Sequence, residues 1–382
     1  MTSSSHDAIV VGGGIVGAHC GLQLARAGLD DVVILERDEP ASKASGRAAG
    51  SLTVWGQERF GAEVSAFCRE IYEELDTEHD DMTLHTQASY SLAYTEDGAD
   101  HLRHDHETLT IETELLTPAE LADRRPEFAV EDVHTAIRYP HSRYTDPHQL
   151  TLAVHKSAAD AGVELHHESV QSLNPGAATD DIGVETTAGR REAPVVIVAA
   201  GAWSKHLLST ASIEIALRPR TSQIAILEPA SNLEIPSWEA PDYSIYGRPT
   251  PEGRILFGGG VSTPVGDLEG FDTRALVPFL REVGEYAPYV FPELESATLY
   301  DDWAGRVSAT PDLHPHIGET SHEGLFVCAG FNGEGVSNSP FGARLVTDLV
   351  VGRDPIADLE PFRPGRHADT DAFRIGNAVE WT

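Results

Sequence analysis

Four consecutive apolar residues, Ala8, Ile9, Val10 and Val11, run directly into Gly12, Gly13, Gly14, Ile15, Val16 and Gly17. An apolar run without alternation suits a strand covered on both faces. The glycines that follow match G-x-G-x-x-G. In such a turn Gly12 permits the tight reversal, Gly14 lets the backbone approach a pyrophosphate, and Gly17 lets the next helix pack close. The helix is expected to run to Ala27 and stop at Gly28, and residues 32–35 to form a second buried strand ending in Glu36. The Glu36 carboxylate is placed to accept from both hydroxyls of an adenosine ribose. Strand, turn, helix and acid together predict a dinucleotide site. An acid rather than an arginine at position 36 leaves no partner for a 2′-phosphate, which favours FAD or NAD over NADP.

With 382 residues the chain has room for two structural domains. Cys20, Cys68 and Cys328 are an odd number with no C-x-x-C pair, so neither a disulfide framework nor a thiolate metal site is expected. The formal charge is −34, with 61 acids against three lysines, Lys43, Lys156 and Lys205. Such a surface repels nucleic acid and anionic lipid. The acids are spread through every segment, which favours a solvated carboxylate shell suited to concentrated salt, a halophilic trait, over a docking face for a cationic partner. The first seven residues are polar and no stretch reaches membrane-spanning length, so a cytoplasmic protein is expected.

Along the chain, residues 37–50 read as a loop of small residues, and Phe60, Val64, Phe67, Ile71 and Leu75 mark an amphipathic helix. Residues 85–144 read as short strands and acidic turns, with His101, His104 and His106 in a solvated loop rather than a metal site. Asp146 and Pro147 are a helix start, with Leu150, Val154, Ala158 and Ala161 on the buried face and Gly162 as the stop. Strands follow at 163–167 and 195–200, and a hairpin pairs 243–248 with 254–259. Near the end come a strand at 325–329, a second glycine turn at 330–335 and a helix at 340–351. Parallel βα units thus interleave with antiparallel strands. The expected fold is α/β with an α+β substrate domain. A Rossmann-type dinucleotide-binding domain (1–84, 146–212 and 305–382) alternates with an antiparallel-sheet substrate domain (85–145 and 213–304).

Several stretches in this order resemble the FAD-dependent amine and amino-acid oxidoreductases, the group of D-amino-acid oxidase, glycine oxidase, sarcosine oxidase and dimethylglycine dehydrogenase. They are 10–17 with Glu36; 45–50; Tyr144-Thr145-Asp146-Pro147-His148; Ala199-Ala200-Gly201-Ala202-Trp203-Ser204; Trp303-Ala304-Gly305 followed by Thr310-Pro311-Asp312; and 330–335. The resemblance implies FAD. Its adenosine and pyrophosphate would meet Gly12, Gly14, Ile15, Val16, Gly17, Glu36, Arg37 and Val170. Ser45, Gly46, Arg47, Ala49 and Gly50 would pass beside the flavin ring, with Ala200, Gly201, Trp203, Gly305 and Arg306 nearby. Gly330, Asn332, Gly333, Glu334, Gly335 and Val336 would direct N–H groups and a helix dipole at the pyrimidine edge. Asp312 is equally compatible with a structural and a ribityl-side role.

Departures from the family pattern carry information. Members that attach FAD covalently do so through a histidine before Ala-Ala-Gly or a cysteine ahead of Thr-Pro-Asp. Arg47 and Gly305 fall at or near those places here, so non-covalent FAD is expected. A lysine that helps hold substrate in sarcosine oxidases is replaced by Ser337. The arginine used by glycine and D-amino-acid oxidases soon after Trp-Ala-Gly is matched by Arg306, one position early.

The implied activity is oxidation of the C–N bond of an amino acid or N-methylated amino acid, of glycine, sarcosine, dimethylglycine or D-amino-acid type, by hydride transfer to flavin N5. Arg306 or Arg248 would clamp the substrate carboxylate, with Tyr246 as a pocket wall. The alternative is an FAD-binding, electron-relaying subunit of a complex such as a proline or sarcosine dehydrogenase. The electron acceptor (oxygen, quinone or protein) and the oligomeric state are left open by the sequence, and no metal is expected.

Overall fold

The computed structural model describes residues 4–176, 181–260, 265–266, 268–270 and 272–375. Residues 1–3 of the polar start lie outside them. Among the described residues three sheets form. The first has six strands, in the order His316–Glu319, Leu325–Ala329, Val195–Val198, Ala8–Val11, Val32–Glu36 and Glu164–His167. All its pairings are parallel except that of the edge strand His316–Glu319. The alternation of side chains explains why Ala8–Val11 is apolar throughout. Ala8 and Val10 face one core with the helices Ile15–Arg26, Ala62–Glu78, Pro147–Asp160 and Gly335–Val350, whereas Ile9 and Val11 face a second core with the small sheet Ser4–Ser5, Val170–Pro175, Ile182–Thr186 and Gly189–Ala193.

The large sheet is built mainly from Thr298–Ala309, Arg218–Glu228, Ile255–Gly259, Ile245–Pro249, Ser237–Ala240, His85–Ala93 and Thr135–Tyr144, and ends on Ser51–Leu52. Its far face packs Ala225, Leu227, Trp238, Ile245 and Phe257 against Phe279, Val283, Ala287 and Val290 of the helix Val277–Val290. Its near face turns Ile224, Ile226 and Leu256 toward Ala49. The expected hairpin is present, with Ile245 opposite Gly259 and Pro249 opposite Ile255. The strand Thr298–Ala309 crosses the domain boundary placed at 305, because it stays paired to Arg218–Glu228 as far as Ala309.

Five expectations need correction. Residues 85–144 hold long strands and two helices, Glu96–Thr108 and Pro118–Arg124. The first helix buries only Gly98, Ala99 and Leu102, too little for an apolar period, yet Thr95 caps it by accepting from the Gly98 N–H. His101, His104 and His106 are exposed on that helix rather than in a loop, and no His/Cys/Asp/Glu group among the described residues is arranged to hold a metal. Phe60 precedes its expected helix and stacks on Phe341 at 5.1 Å, and Ala161 is exposed as the cap of Pro147–Asp160. The last helix begins at Gly335, five residues early, and contains Pro340. No helix among the described residues is long and apolar enough to cross a membrane.

Candidate functional site

The first glycine turn is held from three sides. Gly12 adopts φ +115°, and a Cβ there would lie 2.6 Å from the Ala199 carbonyl oxygen, so the turn depends on glycine for both conformation and space. A Cβ at Gly17 would meet the Gly12 oxygen at 1.8 Å, so the helix packs close against the turn itself. The Glu36 carboxylate accepts from the Gly13 N–H at 2.6 Å and the Asp38 N–H at 2.8 Å. Each of its oxygens thus keeps acceptor capacity for a ribose while fixing the turn. Ser45 Oγ accepts from Ile15 N at 2.9 Å, and His155 Nε2 donates to the Gly13 carbonyl at 2.9 Å. Burial holds the His155 pKa below its ordinary value, which suits a neutral ring donating from Nε2.

At the carboxyl ends of the parallel strands lies a cavity of about 390 Å³. It gathers Gly12, Gly14, Ile15, Val16, Glu36, Arg37, Ser45, Arg47, Ala49, Val170, Ala200, Gly201, Trp203, Gly305, Arg306, Gly330, Asn332, Gly333, Gly335 and Val336. Four other residues expected at the cofactor do not line it. Gly17, Gly46 and Gly50 are packing positions, where a Cβ would run into the carbonyls of Gly12, Ala41 and Thr145, and Glu334 borders a neighbouring cavity. At one edge Arg37 lies 4.4 Å from the Trp203 ring and pairs with Glu269 at 3.0 Å, while Arg306 lies 5.3 Å from the same ring. Glu168 and Gln171 also line the cavity. Glu168 follows the strand Glu164–His167 and Gln171 lies in Val170–Pro175, stretches with no recognisable motif, so sequence spacing could not find them.

The second turn is built around Asn332, which is buried at φ 55°. Its side chain accepts from Thr310 N at 2.8 Å and donates to Thr310 Oγ1 at 3.0 Å and to the Gly330 carbonyl at 2.7 Å. The helix Gly335–Val350 then starts at the cavity wall. Glu334 sits at its N-cap, half enclosed, and pairs with Arg59. Burial raises the Glu334 pKa, against the nearby charges of Arg59 and Arg220. Asp312 does not line the cavity, and Arg366 grips it through both oxygens at 2.8 and 2.9 Å, which is a structural role.

The chemistry of this cradle fits a flavin dinucleotide. A Cβ on Gly14 would meet only Ser45 Oγ, at 3.0 Å, so the space beside Gly14 opens toward the cavity. Two helix N-termini, whose first turns have no carbonyl partner within their own helix, border the same cavity from opposite ends of the chain.

A smaller cavity of about 130 Å³ shares Ala48, Ala49, Ser222, Tyr246, Gly333 and Val336 with the large one. Its polar lining includes Arg220, Ser222, Tyr246 and Glu239, from the near face of the large sheet. Of Arg220, Arg248 and Arg306, only Arg220 lines this space. Arg220 is 5% exposed, and its Nη2 donates to the Asn332 carbonyl at 2.6 Å. Arg248 lines neither cavity; its Nε donates to the Ala49 carbonyl at 2.7 Å, and its guanidinium covers the Tyr144 ring at 4.6 Å. Arg220 escaped sequence reasoning because it carries no local motif. Register reveals it, since it stands opposite Val307, the position two after Gly305 where an arginine was looked for. Facing pairs on antiparallel strands point to one side, whereas Arg306, one residue off, points to the other.

A family model described as FAD dependent oxidoreductase matches residues 7–349. Glycine oxidase of Geobacillus kaustophilus is 29% identical over 381 residues, covering 95% of this chain and 97% of that protein. The 4-methylaminobutanoate oxidase (formaldehyde-forming) of Paenarthrobacter nicotinovorans is 28% identical over 93% of this chain but 46% of its own length. The crystal structure of the Geobacillus kaustophilus glycine oxidase superposes with a TM-score of 0.84 at 27% identity, over 96% of this chain and 100% of that one.

Proposed function

We propose, on the premise that the chain belongs to the FAD-dependent oxidoreductase family, that it oxidises the C–N bond of a small amino acid or N-methylated amino acid. FAD, when bound, supplies the acceptor for a hydride. The chain's own residues then have distinct tasks. The first turn, Ser45 and Glu36 hold the dinucleotide, and the 330–335 turn with its helix faces the second end of the large cavity. Arg220 anchors the substrate carboxylate with a planar fork, and Tyr246, on the wall shared by both cavities, limits substrate size.

The observation that carries this reading is the shared wall, which sets a small cavity lined by Arg220 next to a cofactor-sized one. Resemblance to a glycine oxidase and to an oxidase of an N-methylated acid supports the substrate class. Binding without a covalent bond, a cytoplasmic setting and adaptation to concentrated salt belong to the same proposal.

The test is an anaerobic panel of glycine, sarcosine, dimethylglycine, proline and D-amino acids with the FAD-loaded protein, read by loss of flavin absorbance. Reduction by at least one of them is expected. Reduction by a hydroxy acid alone would overturn the amine assignment, and a flavin that no small molecule reduces would favour the electron-relaying subunit.

A further inference from the structure

We propose that Glu239 receives the ammonium group of the incoming substrate and takes its proton, while Arg220 holds the carboxylate. This rests on the amino-acid reading above and assigns the amine end of the same site.

Glu239 lies in the strand Ser237–Ala240, directly opposite Tyr246 on one neighbour and Ser91 on the other. Its carboxyl faces the small cavity that Arg220 also lines. Among the described residues no cation pairs with it. A carboxylate this deep, without a counter-ion, is costly unless a cation arrives. The groups around it favour a cation too. Glu334 comes from the second turn, Asp105 from the helix Glu96–Thr108 and Tyr139 from the strand Thr135–Tyr144, with the Ser91 hydroxyl on the paired strand. The basic side chains on the cavity lining are Arg220, which donates to the Asn332 carbonyl, and Arg143, which pairs with Glu73. Burial, with Glu334 and Asp105 adding to it and the nearby Ser91 hydroxyl opposing, pushes the Glu239 carboxyl up to about 8. It therefore exchanges a proton with an ammonium near neutral pH.

A zwitterionic amino acid brings an anion to the cavity that Arg220 lines and, at the same time, a cation to Glu239. The step balances simply. One N–H bond of the ammonium breaks, its electron pair stays on nitrogen, and the proton forms an O–H bond on Glu239. The neutral amine is the form whose nitrogen lone pair would assist loss of the α-hydrogen, for which FAD, when bound, would be the hydride acceptor.

The experiment compares the wild type with Glu239→Gln, both loaded with FAD, using the best substrate of the panel. The second-order rate of anaerobic flavin reduction is followed from pH 6 to 10. In the wild type it should rise about tenfold per pH unit and break near pH 8. Glu239→Gln should lose that break, fall about 100-fold at pH 8, and approach the wild type as the substrate's own ammonium titrates. Glu239→Asp should keep a break, which separates proton transfer from mere packing. As a readout apart from turnover, methylammonium should perturb the flavin spectrum of the wild type at least tenfold more tightly than that of Glu239→Gln, with acetate binding equally to both. An unaltered pH profile in Glu239→Gln, or methylammonium binding that ignores the substitution, overturns the assignment. A wild-type flavin that no amino acid reduces overturns the functional reading and this inference together, so the two failures are distinct.

Discussion

The phenol of Tyr72 donates to the carbonyl of Val336, the one helical carbonyl that Pro340 leaves without an N–H four residues on. The last helix can therefore carry a proline and still start at the cavity wall. Tyr72→Phe should leave that buried carbonyl unpaired and cost about 1–3 kcal/mol, read from urea unfolding. It should also weaken FAD retention, because Val336 borders the cavity. An unchanged stability would show that a water replaces the phenol.

Gly14 and Gly12 should fail differently. Gly14→Val should fold, with unaltered circular dichroism, yet lose FAD, since its side chain would enter the cavity beside Ser45. Gly12→Val should lose the fold, because φ +115° and the Ala199 carbonyl both exclude a side chain. Acid precipitation of the wild type should leave the yellow colour in the supernatant; colour in the pellet would reveal a covalent bond.

Arg220→Met should lower kcat/KM by about 30-fold to several thousand-fold, the range for losing about 2–5 kcal/mol of a desolvated charge pair. Arg220→Lys should recover part of this, since it keeps the charge but not the fork. Arg306→Ala should act mainly on FAD affinity through the Trp203 edge, and Arg248→Ala through the Ala49 loop. The larger kcat/KM loss falling on Arg306 or Arg248 would return the clamp to them.

Acid should destabilise the protein through His316. Burial, with Arg366 beside it, lowers its pKa to about 4, and the ring is held neutral, with Nε2 donating to the Ala216 carbonyl and Nδ1 accepting from Arg366. As pH falls from 6.5 toward 4 the unfolded chain takes up a proton that the folded one refuses. Stability present above pH 6.5 is therefore lost by about 1.4 kcal/mol per pH unit across that window. Burial alone would raise Asp312, but Arg366 holds its carboxyl far below the usual range, so that pair gives way only at lower pH. Denaturant curves at pH 7, 6 and 5 should flatten in His316→Gln.

Salt should stabilise the chain. With a formal charge of −34, self-repulsion is strongest when screening is weakest, and the melting temperature should rise between low and molar salt. A flat response would point instead to a cationic docking partner.

Much of the cofactor cradle was legible because its parts obey local rules. Gly12, Gly17 and Glu36 are read from spacing alone, since a strand, a turn and a helix N-terminus each have short-range signatures. Asp146 was equally plain, and its side chain caps His148 and Gln149. The polar lining of the small cavity was not legible. Arg220, Glu239 and Tyr246 lie on three strands, and only sheet register places them together. Tyr246 was singled out only through its spacing from Arg248, which turned its own head elsewhere, to Ala49. The helix Glu96–Thr108 was missed for a simpler reason, that three buried residues in thirteen make no stripe.

The order of strands in the parallel sheet also governs how this protein is made. Ala8–Val11 is made well before its neighbour Val195–Val198, and that strand's far partner Leu325–Ala329 is made later still. The nascent segment therefore carries an apolar strand edge with no partner until Val195–Val198 has been made. Closure of the dinucleotide cradle is therefore a long-range event in folding, reached only when strands far apart in the chain have met.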